Sequence, residues 1–264
     1  MVNLLQPVPT HPLDYSLEDM DKVHHTPEHP LAGDPLVKLE DNAIACKPYD
    51  QRGILIPKAN PLVERTHKTK HIWVRKTVAE KLRLANKILH PEGVELYVKS
   101  GYRPLEVQQE LWNYFLKDAE DKLGTTDKHK ITAHAQQFCA NPEAFDPRKP
   151  RTWSPHFTGG AVDLTLRTLQ NKQELDMDPP GYGEQCYTHY TENLPPEKQT
   201  SDWHNRRTNR RLLYNAMTEA GFTNYPYEWW HYDYGTPLYA LAKQPAEPTF
   251  FYGVMPHPEK SQQS

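Results

Sequence analysis

Val94-Glu95-Leu96-Tyr97-Val98-Lys99-Ser100-Gly101-Tyr102-Arg103-Pro104 alternates apolar and polar side chains up to a glycine and closes on a proline. Successive strand residues point to opposite faces, so Val94, Leu96 and Val98 predict a half-buried strand with Glu95, Tyr97 and Lys99 on its other side. Pro104 suits the first position of a helix, where its missing N–H is not needed, and Val107, Leu111 and Phe115 then share one face. Upstream, Thr77-Val78-Ala79-Glu80 has the form of a capping box, and Val78, Leu82, Ala85 and Leu89 follow at helical spacing until Pro91. Downstream, the pattern predicts a helix around Asp127 to Ala140, a strand from Ala161 to Leu166 and a helix from Arg206 to Ala220 stopped at Gly221. An aromatic strand from Tyr227 to Tyr234 follows. Helices and strands do not alternate strictly, so the predicted class is α+β, an antiparallel sheet flanked by helices, and not a doubly wound parallel fold.

The chain has 264 residues, with 31 Lys and Arg against 34 Asp and Glu, 14 His and 3 Cys. A domain of this size buries a core without disulfide or metal staples. Nearly balanced charge gives no reason to expect a nucleic-acid partner. Cys46, Cys139 and Cys186 are odd in number and far apart, which argues against a disulfide framework and a thiolate zinc site and predicts reduced thiols. A mean hydropathy of −0.85, without an apolar run near the roughly 20 residues that span a bilayer, excludes a transmembrane helix and a membrane partner. Met1 to Pro7 carries neither a basic start nor a continuous apolar stretch, so the expected location is the cytoplasm, or the periplasm if a leader has been removed. The 25 prolines mark the irregular parts. They predict an extended N-terminal arm over 1–45, a domain over 46–243 and a C-terminal tail over 244–264, whose Phe250-Phe251-Tyr252 docks on the core as a strap. His24, His25 and His29 are expected to be solvated, and Arg206, Arg207, Arg210 and Arg211 to form a charged helix face.

Three places carry chemistry. In Ser154-Pro155-His156-Phe157-Thr158-Gly159-Gly160-Ala161-Val162-Asp163, a glycine turn can fold an imidazole and a carboxylate onto one point, and both are suitable zinc ligands. In Glu228-Trp229-Trp230-His231, His231 can supply a third ligand and Glu228 a base beside a metal-activated water. Residues three apart on a regular strand face opposite ways, so both serve one site only if the chain turns near Glu228, where Pro226 allows it. Arg103, between a strand and a helix, can stabilise an oxyanion or hold a substrate carboxylate. Each motif alone also has a structural account: a loop histidine with a capping aspartate, an aromatic strand with a surface glutamate, a surface ion pair.

Taken in order, Ser-Gly-Tyr-Arg-Pro, then Ser-x-His-x-x-Gly-x-Ala-x-Asp, then Glu-x-Trp-His resembles the zinc D-alanyl-D-alanine dipeptidases of the vancomycin-resistance type, over about Lys87 to Asp233. The resemblance extends to Leu164-Thr165-Leu166 and Glu174-Leu175-Asp176-Met177. It implies one zinc per chain bound by His156, Asp163 and His231, with Glu228 as general base and acid and Arg103 stabilising the transition state. It implies an enclosed site for a small D,D-dipeptide, with Ser154 lining it. The family usually continues past the Glu-Leu-Asp-Met segment with Gly and a Phe-Asp pair that helps hold the substrate ammonium. Here the chain reads Asp178-Pro179-Pro180-Gly181-Tyr182-Gly183-Glu184, and Glu184 is the available replacement. Two other functions stay open: a cell-wall endopeptidase or carboxypeptidase of the same fold, and a non-catalytic zinc-binding module. Retention of Glu228 counts against the second, and the long segment from Arg167 to Trp203 argues for enclosure. The oligomeric state is open.

Overall fold

The computed structural model describes residues 3–10, 17–46, 71–177, 183–243 and 246–256. Asp178 to Tyr182, where the sequence departs from the family pattern, lie outside the described residues.

The predicted strand is present as β4, Val94–Ser100, at one edge of the main sheet. It pairs antiparallel with β5, Ala161–Thr168, which pairs with β7, His231–Asp233, and β7 in turn with β6, Thr223–Asn224. The order β4-β5-β7-β6 is an antiparallel four-stranded sheet in an α+β fold. Its even-numbered side chains Leu96, Val98, Val162, Leu164, Leu166 and Tyr232 are fully buried in the main core. Against them lie Val78, Leu82, Ala85 and Leu89 of α1, Lys76–Leu89, together with later helical residues such as Leu213 and Ala216. Burial of each such side chain contributes about 1.5–3 kcal/mol, so the alternation read in β4 is also what fixes the opposite, odd-numbered face as the one that carries chemistry. Asn86 joins helix to sheet by accepting the Leu96 N–H at 2.7 Å.

A bulge refines this register. Val98 pairs with Leu164, but Ser100 pairs with Asp163, so two residues of β4 answer one of β5. Without the bulge Ser100 would share the core face of Val98; with it, Ser100 stands beside Asp163 on the opposite face.

Other boundaries shift for local reasons. Thr77 is not the N-cap of α1; Arg75 occupies that position, and the Thr77 N–H donates to Asp34 Oδ2 at 2.8 Å. A carboxylate from the arm thus satisfies an amide that the capping box was predicted to serve, with the favourable sign at a helix N-terminus. Pro104 sits at the N-cap of α2, Leu105–Leu123, one position earlier than predicted. The next helix, α3, is only Lys128–Ala135, with Asp127 as its cap accepting from His129 and Lys130. Helix α4, Ser201–Glu219, begins five residues before the predicted Arg206, because Thr200 accepts the Trp203 N–H as N-cap. The last helix, α5, is Pro237–Lys243.

The arginine-rich face of α4 is not a solvated surface. Arg210 is buried at 1% exposure and donates to the carbonyls of Met177, Gln185 and Tyr187, while Arg206 pairs with Asp176 and Arg211 with Glu192. A guanidinium has five donors and no acceptor, so it serves a polypeptide segment whose carbonyls have no strand to pair with.

Both chain ends pack on the domain. β2, Leu36–Lys38, pairs antiparallel with β3, Trp73–Arg75, and β1, His24–His25, pairs parallel with β8, Thr249–Phe250. Phe250 and Tyr252 are fully buried. His24 and His25 are exposed, as expected, with His25 stacked on Phe250, while His29 is half-buried against Phe251. Cys46, Cys139 and Cys186 form no disulfide among the described residues. Among the described residues no helix is long and apolar enough to cross a membrane.

Arg75 ties these segments together. Buried at 1% exposure, it donates to Asp34 O at 2.6 Å, Thr158 O at 2.7 Å and Gly253 O at 2.9 Å, with the Tyr252 ring 4.7 Å from its guanidinium carbon. Arg75→Met keeps much of the volume but strips donors from three carbonyls, and each unmet buried group costs about 1–3 kcal/mol. The expected result is a loss of about 3 kcal/mol or more in denaturant unfolding; a change below about 1 kcal/mol would show that the two ends are held by packing alone.

Candidate metal centre and active site

The register of the sheet assembles the site. Ser100 pairs with Asp163 and Asp163 with His231, so three adjacent strands present these side chains in one row. His156 joins them from the short 3₁₀ turn Pro155–Thr158, which ends at Gly159 with φ +73°, and the chain then enters β5. A side chain on Gly159 would be strained in this left-handed region and would place its Cβ 2.4 Å from Leu36.

Ligand atoms of His156, Asp163 and His231 all lie within 4.8 Å of one another. Asp163 Oδ1 is 3.0 Å from His231 Nδ1, and its Oδ2 is 3.3 Å from His156 Nε2. The far nitrogens are held by the protein. His156 Nδ1 lies 2.8 Å from Gly101 O, and a carbonyl only accepts, so the proton sits on Nδ1 and Nε2 is turned to Asp163. His231 Nε2 lies 3.0 Å from Asp233 Oδ2, and the other Asp233 oxygen accepts from Thr236 Oγ1 at 2.7 Å. Gly101 can bring its carbonyl there because it has no Cβ; one would lie 2.5 Å from Trp73 O.

The donor set fits zinc. Two imidazoles and one carboxylate with an open fourth position are the ligands of a catalytic zinc site, and tetrahedral Zn–N and Zn–O bonds put neighbouring ligand atoms about 3.3 Å apart. Hydrogen bonds from the outward nitrogens to a carbonyl and a carboxylate are the support such ligands need.

Charge follows the same design. Burial disfavours ionised Asp163, but His156 and His231 outweigh it and hold its carboxyl well below the usual carboxylate range. Burial lowers the His156 pKa more than Asp163 raises it, which keeps this imidazole neutral and able to ligate. Burial also opposes a charged His231, yet Asp233 and Asp163 together raise its pKa.

Glu228 lies in a turn, not on a strand. The predicted strand from Tyr227 is replaced by two consecutive turns, with Glu228 N–H donating to Tyr225 O at 3.0 Å and His231 N–H to Glu228 O at 3.1 Å; only His231–Asp233 is extended. Those turns bring Glu228 Oε2 within 3.8 Å of His231 Nδ1. Burial pushes its carboxyl up to about 7.

Arg103 reaches the cluster from beyond β4. Its Nη2 lies 3.5 Å from Asp163 Oδ2 and 3.4 Å from Ser100 Oγ, and its Nη1 donates to Gln108 Oε1 at 3.0 Å. Gln108, buried on α2, is itself fixed by donation to Ala140 O at 2.9 Å. The Arg103 Nε–H is buried and has no acceptor among the described residues.

The structure therefore brings together His156, Asp163, His231, Glu228 and Arg103. Ser154 is buried two residues before His156. Glu184 is exposed at the start of the 3₁₀ turn Glu184–Cys186, and no described contact joins its side chain to the cluster. Within the long segment, Cys186 and Thr188 pack on the base-bearing turn, with Trp229 N–H donating to Cys186 O and Thr188 N–H to Pro226 O, each at 2.9 Å. Sequence reading missed Asp233, Gln108 and Ser100. Asp233 had a signal, since residues i and i+2 of a strand share a face and an imidazole ligand needs an acceptor behind it. A cavity of about 300 Å³ lies elsewhere, lined by Tyr214, Phe222, Asn224, Pro226 and neighbours and by none of the cluster residues.

The fold and site define a metallopeptidase. The family model for peptidase M15, D-Ala-D-Ala dipeptidase, matches residues 58–246, and the chain belongs to this family of enzymes. A D-alanyl-D-alanine dipeptidase of Synechocystis sp. is 27% identical over 221 residues, 79% of this chain and 85% of that protein. One from Escherichia coli K12 is 29% identical over 143 residues, 53% of this chain and 55% of that protein. Among solved structures, the vancomycin-resistance D,D-pentapeptidase VanY with Zn(II) is similar at 22% identity and a TM-score of 0.35, covering 63% of this chain and 75% of that one.

Proposed function

We propose that the protein is a zinc-dependent dipeptidase whose substrate is D-alanyl-D-alanine, with one zinc per chain held by His156, Asp163 and His231. The observation that carries this is the convergence of those three side chains on one point, with Glu228 3.8 Å from a ligand nitrogen, in a chain of the D-Ala-D-Ala dipeptidase family. The chemistry that bound zinc brings to such a site is Lewis-acid polarisation of the carbonyl and acidification of water. Glu228 takes the proton of the attacking water on its carboxylate and passes it to the leaving amine nitrogen. Arg103, its fork fixed by Gln108 and Ser100, donates to the oxygen on which negative charge develops. Ser154 lines the substrate pocket and Glu184 accepts from the substrate ammonium.

Metal analysis of the purified protein is expected to find about one zinc per chain, since three protein ligands and one open position make a mononuclear site. On a panel of D,D-, L,D- and L,L-dipeptides, D-alanyl-D-alanine is expected to be preferred. Acetylating its amino end should lower kcat/KM at least about tenfold, because a charge-assisted hydrogen bond is worth roughly 1.5–3 kcal/mol. Glu184→Ala should then affect only the free dipeptide. Equal hydrolysis of free, acetylated and tripeptide substrates would overturn the dipeptidase reading in favour of a cell-wall endopeptidase or carboxypeptidase.

A further inference from the structure

We propose that Asn224 is a positioning residue for Glu228, and that Thr188 locks Asn224 in the orientation in which it acts; this rests on the reading of Glu228 as the base. Asn224 ends β6, and its carboxamide Nδ2 donates to two backbone carbonyls, Glu228 O at 3.1 Å and His231 O at 2.9 Å. One amide thus holds both the residue that bears the base and the residue that bears a metal ligand, across the two turns that connect them. The other described ties of the turns run mostly through backbone atoms: Glu228 N–H to Tyr225 O, His231 N–H to Glu228 O, Tyr225 N–H to His231 O, Trp229 N–H to Cys186 O, Leu164 N–H to Trp230 O and Thr188 N–H to Pro226 O, with the Thr188 hydroxyl 3.4 Å from Tyr225 O. Asn224 supplies side-chain bonds that fix the Glu228 carbonyl to the strand from which His231 projects.

An amide is ambiguous by half a turn. Flipped, Asn224 would present its oxygen to two carbonyl oxygens, a repulsive arrangement. The two carbonyls thus set the orientation, and Thr188 braces it, its hydroxyl donating to Asn224 Oδ1 at 2.5 Å. Thr188 is buried and sits in the segment between Arg167 and Trp203, anchored by its own N–H to Pro226 O at 2.9 Å. The long segment is therefore wired to the base through Thr188 and Asn224, at distances where misplacement of a reacting group by about 1 Å costs up to about 10²-fold in rate.

The test uses the zinc-loaded protein and D-alanyl-D-alanine. Asn224→Ala is expected to lower kcat by about 10- to 100-fold with KM changed less than about twofold and zinc content kept near one. Asn224→Asp keeps the shape and can still accept from Thr188 but cannot donate to the carbonyls, so it should fall as far as Asn224→Ala; Thr188→Val, which removes the bond to Oδ1 while both carbonyl bonds remain, should fall by a smaller factor. Placed on Glu228→Gln, Asn224→Ala should change kcat by less than about twofold, because a residue acting through Glu228 has nothing left to position. Multiplying effects in the double variant would overturn the inference. So would Asn224 variants that lose zinc or melt earlier while each folded, loaded molecule turns over normally. Wild-type turnover in Glu228→Gln alone is a different failure: it removes the base on which the inference rests and is seen without any Asn224 variant.

Discussion

Glu228→Gln is expected to lower kcat by about 10²–10⁴-fold, the range of general acid–base catalysis, while the protein keeps its zinc. The substitution preserves length and planarity, so the turns from Tyr225 to His231 need not change; their ties run through backbone atoms and the Asn224 amide. What is lost is an oxygen that can take a proton from water and return it to the leaving amine. The contrast with the ligands isolates the role. His156→Ala, Asp163→Ala or His231→Ala each remove one of three ligand atoms gathered within 4.8 Å, and these variants should lose metal and turnover together. Elemental analysis beside steady-state kinetics separates the two classes. Near wild-type turnover in Glu228→Gln would leave Glu228 as a residue that shapes the turn and nothing more.

The fold was most legible where one periodicity governed a whole element. Val94, Leu96 and Val98 alternate because one face of β4 meets helix α1, and Val78, Leu82, Ala85 and Leu89 repeat at helical spacing for the same reason. The residue types of the site were legible too, because imidazole, carboxylate and guanidinium each carry distinct chemistry. What local pattern could not show was each side chain's second partner. Arg75 closes both chain ends through carbonyls 41 and 178 positions away in sequence, and Asp34 caps a helix amide 43 positions ahead of it. Arg210 reads as a charged helix face until Gln185 and Tyr187 are folded against it. The aromatic run after Pro226 has strand composition, but the Asn224 amide and the carbonyls it gathers hold it in turns, and this puts Glu228 beside His231. Composition sets propensity weakly, and tertiary hydrogen bonds override it.

Arg103→Ala is expected to reduce kcat by about 10²–10³-fold, the cost of removing one donor aimed at a developing oxyanion. Two features of the guanidinium lead to this. Its fork is held by Gln108 at Nη1 and by Ser100 and Asp163 at Nη2, so it is set before substrate arrives. Its Nε–H is buried and has no acceptor among the described residues, an arrangement that costs about 1–3 kcal/mol unless another oxygen meets it. The sign of the metal effect then separates catalysis from ligation. Arg103 Nη2 stands 3.5 Å from Asp163 Oδ2 and competes with a cation for that carboxylate, so its removal should leave zinc retention against a chelator equal or stronger, never weaker. Arg103→Lys keeps the charge but has neither the fork that meets Gln108 and Ser100 nor an equivalent of Nε, and should recover less than about tenfold of the lost rate. Loss of zinc in step with loss of turnover in Arg103→Ala would show that Arg103 holds Asp163 in place for the metal and does not itself touch the substrate.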